Sequence, residues 1–230
     1  MKEIYDFLRE LRENNDREWF NAHKKRYVEL KAWFDEWVGK LIEKTAGFDE
    51  EIEGLNVKDC VYRIYRDVRF SPDKSPYKTH FAAYLASPGG RNSQRAGYYV
   101  HLEPDGSLLG GGLYCPEPSL LKKLRQDIYD NIEEFTSILE EKKFAAEFAG
   151  IDATDKLKKV PAPFPSDFPQ GDLLKYKHYD IVTYKPDSFF TEKDAQAKIV
   201  DIFQKMYRFN RFLNYTCLLY TSPSPRDISG

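Results

Sequence analysis

The spacing of apolar residues switches between two periods along this chain, and that switching restricts the folds open to it. From Ile4 to Leu41 large apolar residues recur three or four positions apart: Ile4, Phe7, Leu8 and Leu11, then Phe20, Tyr27, Leu30, Phe34, Trp37 and Leu41. This spacing lines one face of a helix, so it predicts two amphipathic helices separated at "ENND". From Val61 the spacing becomes two, with Tyr62, Ile64, Val68 and Phe70 on one side and Arg63, Tyr65, Asp67 and Arg69 on the other. A half-buried strand has this pattern. "THFAAYLAS", "AGYYVHL" and "SLLGGGLY" continue as strands, the last two joined by the hairpin signal "EPDG".

Helical spacing returns at Leu121, Leu124, Ile128, Ile132, Phe135 and Leu139, which predicts one long helix capped by Ser119 and laid across the apolar face of the sheet. "VPAPFPSDFPQGDLL" is too rich in proline for helix or sheet and predicts an extended strap on the surface or an interdomain linker, with Phe164 and Phe168 favouring a docked strap. "HYDIVTYK" reads as a fifth strand, and Thr191 with Asp194 opens a final helix bearing Ile199, Ile202, Phe203, Met206 and Leu213. The expected class is therefore α+β: an antiparallel sheet meander packed by a long helix and a C-terminal helix, with an N-terminal helical pair.

A chain of 230 residues with 41% hydrophobic content suits one domain, placed at residues 1–216. The closing "CLLYTSPSPRDISG", residues 217–230, offers no helical continuation and looks like translated sequencing-adapter sequence, so it is set apart as a non-native tail. The 35 basic and 37 acidic residues nearly cancel, to a net charge of −2, so the molecule as a whole does not attract nucleic acid or an anionic membrane. No run is apolar enough for a signal peptide or a membrane span. Cys60, Cys115 and Cys217 have neither an even count nor CxxC spacing, which argues against a disulfide framework. A cytoplasmic protein is expected.

Chemistry concentrates in "RIYRDVRFSPDKSPYKTHF", residues 63–81, where Arg63, Arg66, Arg69, Lys74 and Lys78 face only Asp67 and Asp73. Alternation puts Arg63, Tyr65 and Arg69 on a polar sheet face, and a guanidinium fork holds carboxylate or phosphate oxygens in pairs. Lys74 and Lys78 add point charges. His101 lies on a nearby strand, and Gly110, Gly111 and Gly112 are expected either to leave space above the sheet or to mark a bulge or close approach of a helix to the strand. These residues predict a site for a small phosphate- or carboxylate-bearing ligand, with Asp67 or His101 as proton carrier if a reaction follows. The plainer alternative pairs Asp67 with the arginines and lets Asp73 cap the turn, leaving a solvated face.

Two other functions remain open. One is a noncatalytic module that docks an acidic protein or a nucleic acid strand, disfavoured by the balanced charge. The other is a metal-dependent phosphodiesterase, for which Asp67 and Asp73 make a thin carboxylate pair. His23, His80, His101 and His178 show no HxH or HExxH spacing, so no metal site is expected and no cofactor is implied. GxxxxGK[ST], GxGxxG and GxSxG are absent.

"NNDREWFNAHKKRY", "RIYRDVRFSPDKSPYKTHF", "YYVHLEPDGSLLGGGLYCP" and "LKKLRQDI" follow one another in an order that resembles the domain of unknown function family 2461, from about residue 3 to 216. The resemblance implies a cytosolic bacterial protein with fungal relatives, and it brings no established reaction, cofactor or catalytic residue.

Overall fold

The computed structural model describes residues 1–221, with side chains described as far as residue 216. The helices are α1 (Lys2–Glu13), α2 (Arg17–Ala22), α3 (Lys24–Ala46), α4 (Val57–Cys60), α5 (Pro118–Asp130), α6 (Ile132–Leu139), α7 (Lys142–Glu147), α8 (Asp187–Thr191) and α9 (Ala195–Thr221). Strands β1 (Phe81–Leu85), β2 (Gly97–Leu102), β3 (Leu108–Leu113) and β4 (Tyr179–Tyr184) form one antiparallel sheet in chain order. The fold is α+β with a meander, as the changes of period predict. Its residues divide into two compact units: Met1–Ser93, Tyr98–Leu109 and Tyr184–Gln204 make the first, and Gln94–Gly97, Gly110–Thr183 and the chain from Lys205 make the second.

In the first unit the helical spacing becomes a buried face. Ile4, Phe7, Leu8 and Leu11 of α1 are fully buried, as are Phe34, Val38 and Leu41 of α3. The turn between them is fixed locally, because the Asp16 carboxylate accepts the Trp19 N–H and so caps α2. The Phe34 ring lies 5.3 Å from that of Phe81, which seats α3 on β1. Each such ring withdrawn from water contributes about 1.5–3 kcal/mol. In the β1–β2 register Phe81 opposes Leu102, Ala82 opposes His101, Ala83 opposes Val100 and Tyr84 opposes Tyr99. Phe81, Ala83, Val100 and Leu102 therefore share one face, and Ala82, Tyr84, Tyr99 and His101 share the other.

In the second unit α9 is held by two buried asparagines one turn apart. Asn210 accepts the Gly112 N–H and donates to the Gly97 carbonyl, both at 2.9 Å, while Asn214 accepts the Ala96 N–H and donates to the Ala96 carbonyl. Phe164 and Phe168 dock the proline-rich strap against Tyr129, with ring centroids 5.3 and 4.8 Å away, as expected.

Four expectations need correction. Residues 61–70 form no regular strand: Val61 bridges Ala83 and Tyr65 bridges Tyr77, while the Asp- and Pro-rich chain after Tyr65 turns away, so the sheet has four strands instead of five. The single long helix is broken at Asn131, which sits at φ −119, ψ 38, and α6 begins afresh at Ile132. Its buried positions are Leu120, Leu124, Ile128, Phe135 and Ile138, and Ser119 lies inside the first turn after Glu117 and Pro118. The last helix continues past residue 216 to Thr221, and the rest of the proposed tail, 222–230, lies outside the described residues.

Candidate functional site

The polar residues of 63–78 do not share a strand face, because there is no strand to align them. Arg69 folds back on Asp67, its Nε and backbone N–H both reaching Oδ1 and its Nη2 reaching Oδ2 at 2.7 Å. Asp73 caps the next turn by accepting the Ser75 N–H and hydroxyl, and also pairs with Arg66. Lys74 donates to the Val68 carbonyl. Tyr65 packs against Tyr77 and Phe20. Arg69, Lys74 and Tyr65 are thus occupied locally, as the plainer alternative anticipated for the aspartates. The paired guanidinium holds the Asp67 carboxyl below its usual range, which makes Asp67 a poor proton acceptor.

Arg63 and Lys78 behave differently. Lys78 is half-buried, with Nζ 5.2 Å from the centre of the Tyr62 ring. Burial, and then the nearby charges of Arg63 and Arg91, push its pKa down. Arg91, which the sequence pattern did not single out, donates to the carbonyls of Lys58 and Val61. Among the described residues no carboxylate lies within salt-bridge distance of Arg63, Lys78 or Arg91, so the Lys78 ammonium, beside Tyr62, is repelled by both arginines.

Beside them lies the outer face of β1 and β2. His101 is only 13% exposed and sits between two partners: Nδ1 is 2.8 Å from the Tyr99 hydroxyl, and Nε2 is 3.1 Å from Glu103 Oε2. Thr79 donates its hydroxyl to the other Glu103 oxygen at 2.7 Å. The His80 ring packs 4.1 Å from that of His101. Burial, reinforced by His101, lowers the His80 pKa to about 4, and burial also lowers that of His101 against the pull of Glu103. Burial pushes the Glu103 carboxyl up, but the Thr79 hydroxyl and His101 outweigh it and hold the group below its ordinary value. Both imidazoles are therefore neutral, and the carboxylate charged, near pH 7. Sequence spacing missed His80 and Glu103 because they meet His101 through strand register and sit at the ends of two strands.

Gly110, Gly111 and Gly112 do not open space above the sheet; all three are buried. A Cβ on Gly111 would lie 2.8 Å from Met206 Sδ. Gly112 has φ +96, and a Cβ there would lie 2.1 Å from the Tyr179 carbonyl oxygen. The missing side chains admit helix α9 and strand β4 instead of a ligand. Farther along, Cys115 gives its N–H to His178 Nδ1, and Asp180 is pushed up to about 6 by burial and by Asp152.

Residues 3–212 match the model of a family described as conserved hypothetical protein (DUF2461). The chain belongs to this family. No match was found among curated proteins or among solved structures. Among the described residues no helix is long and apolar enough to cross a membrane.

Proposed function

We propose that this DUF2461 protein binds a small phosphate- or carboxylate-bearing ligand at Arg63, Lys78 and Arg91, beside Tyr62 and His101. The observation that carries this is the half-buried Lys78, held next to two arginines with no carboxylate within salt-bridge distance among the described residues. A fold retains such repulsion at a cost in stability, and an anion relieves it. His101, wedged between Tyr99 and Glu103, is the proton carrier if the ligand reacts. Reduced Cys60 and Cys115 suit a cytoplasmic setting. The docking alternative draws on Phe70, 93% exposed in the same loop. It is weakened because Arg66 and Arg69 are already paired with Asp73 and Asp67.

Calorimetric titration with inorganic phosphate and a panel of sugar phosphates tests the site. Binding by wild type and by Arg69→Ala, with loss in an Arg63→Ala, Lys78→Met double variant, is the expected result. Equal loss in Arg69→Ala, or no binding of any panel member by wild type, sinks the proposal.

A further inference from the structure

We propose that His80, His101 and Glu103 form a site for a divalent first-row metal ion, with zinc(II) the ion that the number and kind of donors suit best. The site is created by register. His80 immediately precedes β1 and Glu103 immediately follows β2, so extending the pairs Phe81–Leu102 and Ala82–His101 by one step sets His80 opposite Glu103. Alternation then puts both on the face that carries His101. The small Ala82 opposite His101 leaves the imidazole room on that face.

The distances suit one shared ion. The donor atoms of the three residues all lie within 4.8 Å of one another. Two atoms each about 2.1 Å from a tetrahedral ion are roughly 3.4 Å apart, close to the 3.1 Å already separating His101 Nε2 from Glu103 Oε2. His80 completes the set by side-chain rotation. Its ring makes no hydrogen bond among the described residues, its contact being the His101 ring, so a nitrogen lone pair is available to an ion.

The surrounding groups are those that orient metal ligands. Thr79 holds the far oxygen of Glu103, and Tyr99 holds the far nitrogen of His101. Loading the ion requires Nε2 of His101 to be unprotonated, so the ring carries its N–H on Nδ1 and donates it to Tyr99. In the metal-free site the charged Glu103 carboxylate can only accept, so Nε2 carries the N–H and Nδ1 accepts from Tyr99; loading the ion therefore shifts the N–H to Nδ1 and turns the Tyr99 hydroxyl, whose oxygen then accepts it.

Two nitrogens and one carboxylate oxygen, with no thiolate, suit zinc(II) or iron(II) better than a soft ion. Three protein donors leave a position for water or for a ligand oxygen, the pattern of reactive rather than purely structural sites. One carboxylate leaves a net positive charge on the ion, which would add to the pull of Lys78 on an anion. The metal site does not rest on the anion proposal.

Metal-stripped full-length protein, titrated in phosphate-free buffer with zinc(II) by calorimetry and with cobalt(II) by visible absorption, provides the test. One equivalent is expected to bind, with cobalt bands as intense as a four- or five-coordinate ion gives. His80→Ala removes a ligand without orphaning a hydrogen bond and should weaken binding at least tenfold, as should Glu103→Gln. Tyr99→Phe, with its folding checked by circular dichroism, should weaken it about 10- to 100-fold. Absence of binding, or affinity unchanged in His80→Ala and Tyr99→Phe, overturns the proposal. Because phosphate is excluded, a negative result here leaves the anion titration to stand or fall by itself.

Discussion

Lys78 shows how a residue can be costly to the fold and useful to a ligand. Its ammonium is partly desolvated and faces two arginines, so Lys78→Met should raise stability by about 0.5–1 kcal/mol after allowance for solvent screening, while phosphate affinity falls. Thermal melts and calorimetry on one preparation check both halves; a fall in melting temperature would mean that packing on Tyr62 outweighs the repulsion. Asp180 makes a prediction with the pH sign opposite to that of a paired carboxylate. Its folded pKa is raised to about 6, and its Oδ1 is buried without a hydrogen bond. Between about pH 4 and pH 6 the unfolded chain ionises while the folded chain resists, so stability falls with rising pH across that window and stays lower above it. Asp180→Asn should therefore gain roughly 1–2 kcal/mol at neutral pH, after discounting for partial exposure, and nothing below about pH 4. Denaturant titrations at both pH values decide it.

At the scale of elements, the contact between β3 and α9 depends on backbone geometry. Gly112 needs both its positive φ and its missing Cβ, because Tyr179 and Asp180 backbone atoms crowd it, whereas Gly111 meets mainly the flexible end of Met206. Gly112→Ala should cost more stability than Gly111→Ala, on the order of 3 kcal/mol or more against about 1–2. Asn210→Ala should cost about 2–4 kcal/mol, since it removes two buried hydrogen bonds at once, from the Gly112 N–H and to the Gly97 carbonyl. Urea unfolding of the three variants ranks them, and near-equal values for the two glycines would refute the backbone explanation. The triple glycine was legible as a place of close approach, but its period gives no sign of whether a ligand or a helix comes near. The alternation of 61–70 misled for a related reason: a period of two is shared by any extended chain, and only pairing makes it a strand.

For the whole molecule, the balanced charge anticipates a weak response to polyanions. Arg66 and Arg69 are already paired, so a nucleic acid strand would find few free cations in residues 63–78. Fluorescence anisotropy with single-stranded oligonucleotides near physiological salt should show affinities no better than about 10⁻⁴ M, the weak end of non-specific binding. Tight binding that weakened steeply with salt would favour the docking alternative instead.

The sequence by itself determined what is local or periodic. The changes of hydrophobic spacing specified helices, strands and the α+β class, and side chains that reach backbone groups two or three residues away specified the turns at Asp16 and Asp73. Only the tertiary structure decided which chemistry-bearing groups meet. His80 and His101 come together because Ala82 pairs with His101, and strand register is set by core packing on the opposite face, where Phe81 and Leu102 are buried. Nothing in the spacing of four histidines encodes that choice, so the histidine–glutamate cluster emerges only once the sheet is assembled.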